Sequence, residues 1–98
     1  MIYSNDSIVI AGILYQTIYK NNIDMNGLIG TANFNAQEIC INSEHTPQTQ
    51  RIAFYHEIIH ILSDAYGLDL TEQQVKIGTH ALIALLNDNP DLINGIRS

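Results

Sequence analysis

The spacing of apolar residues changes partway along this chain. Between Ser7 and Lys20 the apolar residues are mostly β-branched or aromatic, and Ala11-Gly12 interrupts them near the middle. That pattern predicts a β-hairpin with strands near residues 8–10 and 14–19. A helix is the rival reading, because Ile10, Ile13, Leu14, Thr17 and Ile18 also fit a 3.6-residue period. A polar connection follows, from Asn21 to Gly27. Residues 28–31 and 38–42 then read as two further strands joined by Asn33-Phe34-Asn35-Ala36.

Beyond residue 46 the period lengthens to three and four. Ile52, Tyr55, Ile59, Leu62 and Tyr66 form one apolar stripe, and Phe54, Ile58, Ile61 and Ala65 form a second beside it. Thr46 is placed to cap this helix, Pro47 suits its first position, and Gly67 suits a left-handed stop. The segment 47–66 therefore predicts a largely buried helix. A second helix is expected over 71–87, with Thr71 and Gln74 as a capping box and Leu70 and Val75 as a staple. Leu82, Leu85 and Leu86 are expected to pack it against the first helix or the sheet. Asn89-Pro90 should open a short terminal helical turn. The fold class predicted is α+β: a small, mostly antiparallel N-terminal sheet followed by two packed helices. Residues 1–98 make a single domain.

The polar residues of the first helix carry the chemistry. His56, Glu57, His60 and Asp64 gather on its remaining face, where buried polar groups need partners. His56-Glu57-Ile58-Ile59-His60 is an H-E-x-x-H motif. Positions four apart stand one above the other on a helix, so two imidazoles can share one ion while Glu57 reaches a water beside it. The plain alternative is ordinary helix histidines and a solvated glutamate. A catalytic zinc takes three protein ligands and leaves a position for water. Glu72, Asp64, Asp69, His80 and His45 are the available third ligands. A short turn folds the start of the second helix back toward the end of the first, which favours Glu72. Asp64 is the alternative ligand, or a carboxylate that orients an imidazole. Glu72 also has a bland role, since an acidic residue suits a helix N-terminus. No Gly and His follow His60 at the longer metzincin spacing. Tyr55, Tyr66 and His80 are candidate donors to an oxyanion. Glu38, Ile39, Cys40, Ile41 and Asn42 are expected to form an edge strand that aligns an extended peptide, with pairing inside the sheet as the alternative.

Together, the extended segment at 36–41, the motif helix and a second helix opening with Glu72 resemble the small gluzincin-like metallopeptidases of the ImmA/IrrE type. Compact versions of that family occur in phages and mobile elements. The resemblance spans roughly Gly27 to Pro90. It implies a minimal zincin-like fold, a bound Zn2+, Glu72 as third ligand and hydrolysis of a peptide bond. It equally admits a non-catalytic zinc-binding or interaction module that has kept the fold to bind a protein partner such as a repressor.

Composition narrows the partners. The formal net charge is −6, and Lys20, Arg51, Lys76 and Arg97 are scattered, so a nucleic-acid face is not expected. A neutral or basic peptide is the compatible substrate. Cys40 is the single cysteine, which fits a reducing compartment and a cytoplasmic protein. The run at 8–14 is too short to span a membrane, and no secretory signal is expected. The Asn5-Asp6-Ser7 sequon carries no meaning in that setting.

Overall fold

The computed structural model of the chain describes residues 7–92 and 94. Strands β1 (Ser7–Ile10) and β2 (Ile13–Lys20) form the expected antiparallel hairpin, with Ile10 opposite Ile13. Ala11 and Gly12 make its loop at φ 52° and 81°. Two successive positive φ angles give the turn whose twist matches a two-residue hairpin, and the helical reading of this segment falls.

Strand β3 (Gly30–Asn33) pairs antiparallel with β4 (Glu38–Asn42), and β4 pairs parallel with β2. The sheet is therefore mixed, in the order β1-β2-β4-β3. The connection after β2 explains the order. Asn21 Oδ1 accepts the Asp24 N–H at 2.7 Å, Met25 is buried, and Asn26 and Gly27 both take positive φ. These tight turns carry the chain past the place beside β2, and the returning strand fills it.

This topology corrects the expected peptide-aligning edge. Glu38, Ile39, Cys40, Ile41 and Asn42 form an interior strand paired on both sides, with Ile39 and Ile41 among the most buried residues. Their main-chain groups are already used in two ladders. The edge strand on that side is β3, which begins two residues later than expected.

Helix α1 (Pro47–Tyr66) lies across one face of the sheet. Thr46 Oγ1 accepts the Thr49 N–H at 3.2 Å, and Gly67 ends the helix at φ 65° with the Leu68 N–H on the Ser63 carbonyl at 2.9 Å. Ile10, Tyr15, Ile39 and Ile41 pack from the sheet against Ala53 and Ile61, with Phe54, Ile58 and Leu62 around them. The far end of the helix emerges from this core, leaving Ala65 and Tyr66 exposed. Helix α2 (Glu72–Asp88) opens with the expected capping box and packs on α1. Val75 and Thr79 are buried, and Leu82 and Leu86 are half-buried on the same three-and-four stripe. Leu85 lies to one side of that stripe and is exposed, against expectation. Arg51 ties the start of α1 to Asn87 near the end of α2 at 2.9 Å.

The Leu92 N–H bonds to the Asn89 carbonyl at 3.0 Å, and Leu92 and Asn94 are helical, in agreement with the expected terminal turn. Asn5 and Asp6 of the sequon, and Arg97, lie outside the described residues. No helix among the described residues is long and apolar enough to cross a membrane.

Candidate metal centre

His56 and His60 stand one turn apart on α1, their ring centroids 4.9 Å from each other. Both rings direct Nε2 at the same carboxylate. His56 Nε2 lies 2.9 Å from Glu72 Oε1, and His60 Nε2 lies 2.8 Å from Glu72 Oε2. The helix connection fixes this meeting. Leu68 N–H bonds to the Ser63 carbonyl, Leu70 N–H bonds to Ser63 Oγ at 3.0 Å, and Asp69 takes a φ of 53°. Thr71 then caps α2, so Glu72 occupies its first turn directly opposite the imidazoles.

A ligand atom from each of His56, His60 and Glu72 lies within 4.8 Å of the other two. Two neutral imidazole nitrogens and one carboxylate oxygen are a donor set zinc takes, with a fourth position left open. Glu72 keeps 63 % of its side chain exposed, which leaves the cluster open to a small ligand from outside. The residues therefore fit a divalent cation. They also stand, without one, as two imidazole–carboxylate hydrogen bonds.

Glu57 sits beside the cluster, half-buried. A Cβ placed on Gly30 would come 3.5 Å from Glu57 Oε2 and 3.1 Å from the Ala53 Cβ. The edge strand thus passes close to the motif helix because position 30 carries no side chain. Burial raises the Glu57 carboxyl above its ordinary range, opposed by the charges of His56 and His60. Desolvation also acts upward on Glu72. There the hydrogen bonds and charges of the two histidines prevail, and its carboxyl is lowered. The two carboxylates are expected to titrate apart in the metal-free protein, Glu57 above the ordinary range and Glu72 below it. The sign for stability follows. The Glu72 contribution is present above the ordinary carboxylate range and disappears as pH falls through its depressed value; ionising Glu57 acts the other way. Carboxyl carbon NMR titration reads both, and a reversed order would contradict the arrangement.

The outer edge of β3 is aligned with this cluster. Asn42 N–H donates to the Ile29 carbonyl at 2.9 Å, so by the alternation of an antiparallel ladder Gly30 and Ala32 turn their N–H and C=O groups outward. No strand pairs with that edge among the described residues. A cavity of about 460 Å³ lies at the Gly30 end, its walls including Leu28, Gly30, Ile52, Ala53, His56 and Glu57. A second, of about 350 Å³, lies beyond the other end, where Phe34 faces His60, Asp64 and Asp69.

Other expected site residues lie apart. Asp64 is exposed, outside the His–His–Glu cluster, and makes no side-chain hydrogen bond to either imidazole among the described residues. One more helical turn carries it beyond the reach of Glu72. Tyr55 packs edge-on against Phe54 and under the Arg51 guanidinium, both at 5.8 Å. Tyr66 and His80 are exposed, and none of these three lines either cavity. His45 is the expected loop residue, its carbonyl accepting from Gln50 Nε2 at 2.7 Å. Gly30, Ala53 and Leu28 escape a motif-based reading. Their one signal is the pair of glycines in Gly27-Leu28-Ile29-Gly30, since glycine in a strand marks a close backbone approach. The chain matches no family model, no curated protein and no solved structure.

Proposed function

We propose that this chain is a zinc-dependent peptidase in which His56, His60 and Glu72 hold the ion and Glu57 is the general base. The supporting observation is the meeting of both Nε2 atoms on one carboxylate from the next helix, with a half-buried glutamate beside them. When bound, zinc supplies Lewis acidity toward the scissile carbonyl and lowers the pKa of water. The chain itself positions the rest. Gly30 and Ala32 offer outward main-chain groups to an extended peptide, in the manner of strand addition. Glu57 takes a proton from the attacking water. The hydroxyl joins the carbonyl carbon, the C–N bond breaks, and Glu57 delivers the proton to the leaving nitrogen. The resemblance of the motif helix and Glu72 to ImmA/IrrE-type peptidases supports the same reading.

The substrate class is a neutral or basic peptide or protein segment, in keeping with a formal net charge of −6. The single cysteine, buried and free, suits action in the cytoplasm. Incubating zinc-loaded protein with a mixed peptide library, followed by mass spectrometry, tests the proposal. New termini should appear, vanish with chelator and return with added zinc. A zinc-loaded protein that leaves the library intact would contradict it.

A further inference from the structure

We propose that Gly30 is a positioning residue for peptide hydrolysis: with Ala53 it sets the gap between the outer edge of β3 and the motif helix, and so the distance from Glu57 to a peptide paired with that edge. This rests on the peptidase reading above and adds to it the contact that brings substrate and base together.

Most of the sheet face under α1 carries large side chains. Ile10, Tyr15, Ile39 and Ile41 meet Phe54, Ile58 and Ile61 there. On β3 the partners of Ile41 and Ile39 are Gly30 and Ala32, so the groups facing α1 shrink to a hydrogen and a methyl. The backbone does not call for glycine at this position. Gly30 takes no positive φ, and glycine is a poor strand residue. What it provides is space. A methyl on Gly30 would lie 3.1 Å from Ala53 Cβ and 3.5 Å from both Cγ and Oε2 of Glu57. An ordinary carbon–carbon contact is about 3.5–4.0 Å, so strand and helix would have to separate by about 0.4 Å or more.

The two sides of this gap carry different parts of the reaction. The edge that would hold the peptide belongs to the sheet, whereas His56, Glu57, His60 and Glu72 belong to the helices. A peptide paired with the Gly30 and Ala32 main chain is held by one side and reacts with the other. Glu57 stands directly over Gly30, so the spacing at this contact is the spacing between base and bound peptide. A ligand held by the metal alone would not sense it.

Calorimetry on zinc-reconstituted protein with two probes tests this without relying on turnover. Acetohydroxamate can hold only the metal. N-acetyl-trialanyl hydroxamate can hold the metal and also pair its main chain with β3. The longer probe should bind the wild-type protein about tenfold tighter, the worth of two or so main-chain hydrogen bonds. In Gly30→Ala, zinc content and acetohydroxamate affinity should hold, while that ratio falls to about threefold or less as the edge bonds are stretched. Adding Ala53→Gly, which removes the 3.1 Å contact, should restore the ratio. Ala53→Val crowds the same gap from the helix side and should also lower the ratio; it decides the outcome if the double variant does not fold. General destabilisation would weaken both probes alike and leave the ratio unchanged. Equal affinities in the wild-type protein, an undiminished ratio in folded Gly30→Ala or Ala53→Val, or a loss that Ala53→Gly does not restore would each overturn the positioning role. Failure to bind zinc or acetohydroxamate would be the distinct failure of the peptidase reading, and the inference would fall with it.

Discussion

Glu57→Gln is expected to retain zinc and to lose peptide hydrolysis by a factor on the order of 10² to 10⁴, the usual contribution of a general base. The amide has the shape of the carboxylate and keeps one acceptor oxygen, but it cannot take a proton from water. Glu57 lies outside the three groups whose ligand atoms converge, so the substitution leaves the proposed ligand set intact. Relief of burial cost should keep the variant folded, because a neutral amide is easier to bury than a carboxylate. Zinc content and turnover, measured on the same preparation, separate the roles. Undiminished turnover would remove Glu57 as the base. Lost zinc would make it a ligand instead.

Removing the metal is expected to have the largest effect on stability. An ion held only by the folded chain stabilises it by about 4 kcal/mol when its free concentration is a thousand times its Kd. For a domain of this size each kcal/mol moves Tm by about 4–8 °C, so a chelator should lower Tm by on the order of 15–30 °C. His56 and His60 share one short helix turn and Glu72 comes from the next helix. The ion would therefore clamp α1 to α2, whose contact otherwise rests on the stripe from Val75 to Leu86, the Arg51–Asn87 hydrogen bond and the imidazole–Glu72 pairs. Glu72→Ala should unfold at the lower temperature with or without chelator. A chelator-induced shift that survives in Glu72→Ala would show that the ion is held elsewhere.

The elements were legible in the sequence where local chemistry specifies them. Thr46, Pro47 and Gly67 bound α1 because caps act within a few residues of the groups they satisfy. Thr71 and Gln74 likewise fix the start of α2, and that start is what delivers Glu72 to the histidines. The order of strands was not legible. Both antiparallel and parallel neighbours accept the same Ile39–Ile41 alternation, and only the tight turns around Met25 to Gly27 place β4 inside. The alternation at 38–42 therefore suggests an edge, whereas the edge is β3. Asn42 looks like one more strand residue in the sequence because nothing nearby reveals that its partners are Asn22 and Leu28. Tyr55 illustrates a different limit. Residue type suggests a donor, but a neighbour of His56 in sequence points about 100° away around a helix.

Titrating zinc into the metal-stripped protein addresses the central claim most directly. Saturation at one ion per chain, abolished by replacing Glu72 with alanine, is the predicted result. An absence of binding, or binding indifferent to Glu72, would contradict a metal centre built from His56, His60 and Glu72.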